Sequence, residues 1–231
     1  MFWFRDSVTT GAGPVGVAFT DASLDLGDRA PEDVRRRALD ALAEETGCRP
    51  ALMRQVHGAD VAVPSGSAGR PEADALVSFA EGLALLTRVA DCVPVLLVDR
   101  GSGQVGAVHA GREGMTAGVV GAAVERMRAD GATDLVAWVG PRICGRCYEV
   151  PDEMRAAVAK REPAAYAETS WGTPALDVGA AVVAQLERAG VEVVDVGGCT
   201  REEPRLHSYR RDGQAAGRSA GVVWRGGRGT R

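Results

Sequence analysis

The sequence predicts a mixed α/β fold in which β-sheet is covered by helices. Short β-branched apolar runs outnumber the helical stretches and often follow one another directly. The helical stretches carry apolar stripes that need a surface to cover. No repeat or low-complexity linker divides the 231 residues, so the whole chain, 1–231, is read as one domain. A chain of this length removes roughly 70% of its unfolded surface from water. Strand following strand directly argues against a regular βαβ alternation.

The first strand is predicted at 15–20 (VGVAFT). Pro31 then opens a helix. Glu32 and Asp33 sit in its first turn, where they complement the helix dipole. Val34, Ala38, Leu39 and Leu42 form its apolar stripe, and Gly47 ends it. Three apolar runs follow at 74–79, 83–89 and 93–99. A fourth, QVGAVHA at 104–110, comes after the turn signal DRGSG. Helical spacing of Val119, Ala122, Ala123, Arg126 and Met127 predicts a helix over 115–130. A strand at 134–139 ends at Gly140-Pro141. Helices are predicted at 152–161 and 177–189, the latter with Asp177 as N-cap and Gly190 as C-cap. Strands at 192–197 and 220–224 finish the chain. The tail 225–231, with Arg225, Arg228 and Arg231 among glycines, reads as a frayed, flexible end.

Composition excludes several classes. The net charge of −4 gives no field that would draw the chain onto nucleic acid or an anionic membrane. The N-terminus, MFWFRDSV, lacks the apolar core of a signal peptide. The longest apolar stretch, 83–98, contains Arg88 and Asp91 and is expensive to place in a bilayer. A cytoplasmic protein follows. Five cysteines, an odd number, do not suggest a disulfide framework and leave reduced thiols for metal or nucleophilic chemistry.

Of three histidines, His57 and His109 sit at ends of apolar runs, and Cys92 lies between two strands in VADCVP. Pro94 cannot donate to a central ladder, which puts Cys92 at a bend just before the strand. Two imidazoles and one thiolate suit zinc and leave a fourth position open, as in catalytic sites. Spacings of 35 and 17 residues contain no short local pair, so spacing alone leaves open two satisfied histidines and a cysteine buried as a small hydrophobe. Asp74 and Asp91, at strand ends, are candidates to orient an imidazole or accept a proton; backbone amides could equally satisfy them. Gln55, read as sharing a strand face with His57, could bond a base or hydroxyl. Arg210, Arg211 and Arg218 form a basic cluster suited to an anionic group or to surface ion pairs. Cys144 and Cys147 form a CxxC, but no second pair accompanies it, and ordinary thiols are the simpler reading beside a redox dithiol.

The surrounding text is specific. RQVHGADV at 54–61, EADALVS at 72–78, ADCVPVLLVD at 90–99, VHAGREG at 108–114, GPRICGRCYEV at 140–150 and SYRRDGQAAGR at 208–218 occur in order. Across about residues 15–224 the chain resembles the laccase-domain proteins, labelled multicopper polyphenol oxidoreductases and also purine nucleoside phosphorylases. The resemblance implies two mixed sheets packed face to face with helices outside, an α/β/β/α sandwich. It implies one metal ion per chain, zinc with copper as substitute, on His57, Cys92 and His109. It also implies phosphorolysis of adenosine, inosine or methylthioadenosine, or adenosine deamination, with purine nucleoside and phosphate as partners. Catalytic candidates are Cys92, His57, His109 and Asp74; substrate-binding candidates are Gln55, Arg112, Arg210 and Arg211. His207 stands where the family tends to have an aromatic residue and is not counted as a ligand.

Two departures bear on the substrate. The family usually reads HAGWRG, and here Arg112 and Glu113 stand in HAGREG. An Arg- and Gly-rich loop that usually precedes SLNLG is cut away, VGVAFTDASLDLG passing straight to SLDLG. The alternatives at this stage are a copper-dependent polyphenol oxidase, a metal-free hydrolase with Cys92 as nucleophile, and a non-catalytic binding protein. Oligomeric state is open, a monomer included.

Overall fold

The computed structural model describes residues 1–64 and 69–226; the cationic tail beyond Gly226 lies outside the described residues. In chain order its elements are β1 (Phe2–Thr10), β2 (Gly13–Thr20), α1 (Glu32–Thr46), β3 (Arg49–Ala51), β4 (Val61–Ala62), β5 (Ala75–Ser78), β6 (Leu83–Val89), β7 (Val93–Asp99) and β8 (Val105–Ala110). There follow α2 (Arg112–Ala117), α3 (Val119–Ala129), β9 (Leu135–Val139), α4 (Asp152–Arg161), β10 (Tyr166–Glu168), β11 (Pro174–Leu176), α5 (Val178–Arg188), β12 (Glu192–Asp195), α6 (Tyr209–Asp212) and β13 (Ser219–Arg225).

Two mixed sheets result. One has the order β1-β2-β13-β6-β3 and the other β12-β9-β7-β8-β5-β4; β10 and β11 form a separate ribbon. Parallel pairs occur only toward the edges, at β3–β6, β9–β12 and β4–β5, while the central pairs are antiparallel.

The period-2 alternation of side chains explains why β7 reads as an unbroken apolar run. Val93, Val95 and Leu97 face a core shared with the helices. Leu96 and Val98 face the other sheet and meet Val17, Phe19 and Leu85 there. Both faces are covered, so every position from Val93 to Val98 is apolar. The outer face of the first sheet carries Ala84, Leu86, Val222 and Trp224, and α1 closes it with Ala38 and Leu42. On the outer face of the second sheet, α3 brings Val120, Val124 and Met127, and α5 brings Val182 and Leu186. The layer order is helix, sheet, sheet, helix, as the resemblance implies.

The first strand is not 15–20. The chain begins with β1, an edge strand joined to β2 by a turn at Gly11-Ala12, with Gly13 at φ 106°. Its burial is partial and Arg5 pairs with Glu45 on α1. An edge strand with polar outward positions carries little of the apolar signal that marks the central ones. The helix predicted over 115–130 starts at Arg112 and breaks at Gly118, whose φ of 93° is left-handed. Gln55 and His57 lie in a loop, not on a common strand face, and His57 has φ 62°. Strands β3, β4, β10 and β11 have two or three residues each and were too short to read.

Candidate active site

Three connections deliver three ligand atoms to one place. His57 comes from the loop between β3 and β4, Cys92 from the bend between β6 and β7, and His109 from the end of β8. The β7–β8 register pairs Pro94 with His109 and Val93 with Ala110, which brings Cys92 beside Gly111. One ring nitrogen each of His57 and His109 and the Cys92 sulfur lie within 4.8 Å of one another. Cys92 Sγ is 4.0 Å from His57 Nε2. The two imidazoles meet edge to face with centroids 4.8 Å apart.

Backbone strain concentrates here. Among the described residues, His57 (φ 62°) and Asp91 (φ 87°) are the only non-glycines in the left-handed region. Such conformations persist only where the surroundings impose them. Asp74 imposes the first. Its Oδ1 accepts from the His57 amide (3.0 Å) and from His109 Nδ1 (2.8 Å), and its Oδ2 from the Val56 and Gly58 amides (3.2 and 2.7 Å). One buried carboxylate thus ties the His57 loop to the His109 ring. With Nδ1 as donor to Asp74, Nε2 is left as the free lone pair of His109. Asp91 is held in turn by the Thr200 hydroxyl and the Arg210 amide, each at 2.6 Å.

Close approach demands glycine at two positions. A Cβ on Gly111 would lie 2.8 Å from His57 Cδ2 and 3.2 Å from Cys92 Sγ; one on Gly114 would lie 2.9 Å from the Gly58 carbonyl. Gly111 and Gly114 of HAGREG are therefore steric requirements of the cluster.

Electrostatics favour a cation. Burial first, then the Asp91 and Asp74 charges, push the Cys92 thiol up to about 12. Burial also lowers His109, against the opposing pull of Asp74, so the ring is neutral at pH 7. Burial works against ionisation of Asp74, but the hydrogen bonds from His109 and the amides outweigh it and keep the carboxyl below its ordinary range. Two imidazoles and a thiol gathered in this way could hold a metal ion.

The cluster opens into a cavity of about 790 Å³. Ile143, Tyr148 and Val178 form an apolar side, and Arg88, Arg112, Arg210 and Arg218 bring positive charge. Gln55 reaches the wall, yet both ends of its amide bond the Arg88 backbone, at 2.8 and 2.9 Å. Arg112 pairs with Glu113 at 2.6 Å, and Glu113 itself is exposed and outside the cavity wall. Arg210 lies over the Tyr148 ring and donates to the Glu149 carbonyl. Arg211 does not line the cavity; it spends its guanidinium on the carbonyls of Thr200, Glu203 and Leu206 and on Asp212. His207 bonds the Leu24 carbonyl, away from the ligands.

The sequence reading missed Arg88 as a site residue and used its charge only against a membrane span. Arg88 is 7% exposed, paired with Asp28, and its Nε is buried without a partner beside the cavity. A charge interrupting a β-branched run was the available signal. Also missed was a second gathering of ligand atoms, Cys144, Cys147, Cys199 and Glu202.

Among the described residues no helix is long and apolar enough to cross a membrane. A purine nucleoside phosphorylase of Streptomyces coelicolor is 57% identical over 191 residues, covering 79% of this chain and 78% of that protein. One of Streptomyces griseus is 47% identical over 238 residues, covering 92% and 95%. Among solved structures, a Neisseria meningitidis protein superposes with a TM-score of 0.78 at 28% identity, covering 96% of this chain and 99% of that one. The YlmD protein from Geobacillus stearothermophilus superposes with a TM-score of 0.80 at 28% identity, covering 91% and 92%. The family described as multi-copper polyphenol oxidoreductase laccase matches residues 8–226, and the chain belongs to it.

Proposed function

We propose that this chain is a zinc-dependent purine nucleoside enzyme of the cytoplasm, acting as one domain, that phosphorolyses adenosine, inosine or methylthioadenosine or deaminates adenosine. The observation that carries the reading is the convergence of His57, Cys92 and His109 at the cavity, with Asp74 orienting the His109 ring and holding the His57 backbone. The name shared by the Streptomyces relatives supplies the substrate class.

The donor set fits one zinc ion. Two imidazoles and a thiol within 4.8 Å suit a borderline-soft cation, and three protein ligands leave a position open toward the cavity. Bound there, zinc supplies Lewis-acid polarisation of the substrate or of its attacking water. The chain does the rest. Asp74 holds the His109 tautomer and the His57 loop; fully buried and engaged by four donors, it acts as a positioning residue. Ile143 and Tyr148 offer a flat apolar side for a purine. Arg88, Arg210 and Arg218 carry the positive charge that phosphate or a ribose hydroxyl would meet.

The metal-free nucleophile reading loses support. An activated cysteine has a depressed pKa, whereas Cys92 is pushed up and stands 4.0 Å from His57. The copper reading shares these donors, since copper exceeds zinc in affinity for such sites. Metal analysis of the purified protein, then product chromatography of adenosine, inosine and methylthioadenosine with and without phosphate, tests the proposal. Free base and ribose 1-phosphate, or inosine from adenosine, in the zinc-loaded protein is the expected result. Phenol oxidation by copper-loaded protein with no nucleoside turnover would overturn it.

A further inference from the structure

Beside the cavity but outside its lining, two loops bring together four ligand-bearing side chains that the active site does not use. Cys144 and Cys147 stand in the loop between β9 and α4, and Cys199 and Glu202 in the loop after β12. Their three sulfurs and one carboxylate oxygen all lie within 4.8 Å of one another, and Cys147 Sγ is 3.4 Å from Glu202 Oε1. We propose that this cluster is a second metal site, a closed structural zinc site with Cys144, Cys147, Cys199 and Glu202 as its four ligands.

The backbone of the two loops sets the four side chains together. Cys144 to Cys147 is a single tight turn, the Cys147 and Tyr148 amides both bonding the Cys144 carbonyl at 3.0 Å. Gly145 inside that turn allows the close packing, since a Cβ there would lie 2.8 Å from Asp177 Cβ and 2.9 Å from Ala167 Cβ. The other loop turns on Gly197 (φ 69°) and Gly198 (φ 94°) to face it. A backbone clasp then sets the distance: the Arg142 amide bonds the Gly198 carbonyl (3.1 Å), and the Thr200 amide bonds the Arg142 carbonyl (3.0 Å). Tetrahedral zinc with thiolates places sulfurs about 3.8 Å apart, so the present spacing needs only a small contraction.

The chemistry selects the ion. Three thiolates are soft donors that favour zinc over magnesium or calcium, and the carboxylate completes four. Cys147 is buried, Cys144 and Cys199 are half-buried and Glu202 is exposed, which leaves an entry path from solvent. Arg146, 3.9 Å from Glu202, and Arg201, which donates to the Cys147 carbonyl, offset the negative charge of the ligand set. No position is left open, so the site binds and does not catalyse. Its effect reaches the active site through the loops it joins. Ile143, beside Cys144, donates its amide to the Asp91 carbonyl (3.0 Å), and Thr200, beside Cys199, holds the Asp91 carboxylate (2.6 Å). Asp91 is the neighbour of Cys92.

The test is zinc content and thiol protection, neither of which depends on turnover. Cys92→Ser protein, purified without chelator, should retain about one zinc per chain, and Cys92→Ser/Cys199→Ser should retain none. No zinc in the Cys92→Ser protein, with zinc present in the unmodified protein, would overturn the proposal. Should the double variant not fold, iodoacetamide labelling of the unmodified chain decides, because the tryptic peptides Ile143–Arg146 and Ala189–Arg201 each hold a single cysteine. Cys144 and Cys199 protected until chelation is the expected result. Ready labelling without chelator, or a Cys144–Cys147 disulfide in the isolated protein, sinks it. If Cys92 labels freely while Cys144 and Cys199 stay protected, the proposed function suffers and this site stands.

Discussion

The two clusters that could hold a metal differ in donor number, donor type and setting. His57, Cys92 and His109 offer three donors, two of them nitrogen, at a cavity of about 790 Å³. Cys144, Cys147, Cys199 and Glu202 offer four donors, three of them sulfur, between two loops and outside the lining of that cavity. The first is set into the sheet: β8 carries His109, β7 follows Cys92, and the strained His57 and Asp91 are held by buried hydrogen bonds. The second hangs on glycine turns and a backbone clasp. An incomplete donor set inside a rigid core leaves room for a substrate, whereas a complete set between loops supplies the rigidity that short loops lack.

Removing a ligand from each cluster should separate them most sharply. Cys92→Ser is expected to take nucleoside turnover to background and remove one zinc. Cys199→Ser should leave turnover measurable while removing the other zinc and lowering the melting temperature. Steady-state rates, metal content and thermal melts on the two variants check this. Equal loss of turnover in both would erase the distinction between them.

Asp74→Asn should weaken metal binding at the first cluster by about 10–100-fold. The amide nitrogen cannot accept from two of the four donors that the carboxylate now satisfies. Competition with a chromophoric chelator reads the affinity, and the Cys144 cluster should be unmoved. An affinity within twofold of the unmodified protein would remove Asp74 from the site.

Gly111→Ala puts a Cβ against His57 and Cys92. Overpacking of this kind costs about 1–3 kcal/mol. Denaturant unfolding should show a loss in that range together with weaker zinc binding. A stability loss with zinc binding intact would show that the His57 loop can yield.

The smallest effect is a control on the scaffold. Asp99, buried at the end of β7 opposite Cys92, accepts from Ser102, Thr133 and Asp134. Burial opposes its charge, but these bonds prevail and its pKa is lowered. A depressed carboxylate contributes stability above its unfolded pKa of about 3.9, which is lost as pH falls through the folded value. Metal-stripped protein should therefore lose melting temperature below about pH 4, and Asp99→Asn should flatten that slope. An unchanged slope would place the acid sensitivity elsewhere.

Much of the scaffold was legible because burial on both faces leaves a strong mark. The runs that became β5, β7 and β8 in the second sheet and β6 in the first read as strands since both faces are covered there, and the stripes of α1 and α5 read as helices since one side is. Strand β1 escaped because an edge strand keeps polar positions, and Gly118 split a helix that apolar spacing alone joined through. Of the site, QVHG, ADC and HAG marked His57, Cys92 and His109 through their resemblance to a family, since spacings of 35 and 17 residues contain no local geometry.

The sequence by itself determined the class of fold, because residue type and local periodicity are properties of the chain, and its family motifs marked three candidate donors. The tertiary structure decided what those residues face. It tied the Gln55 amide to the Arg88 backbone at the cavity wall and spent the Arg211 guanidinium on carbonyls outside that wall. It also carried Cys199, 52 positions beyond Cys147, to the CxxC. Such meetings depend on loops closing across two sheets. The free energy of those closures comes from the whole core, so no short stretch of sequence records them.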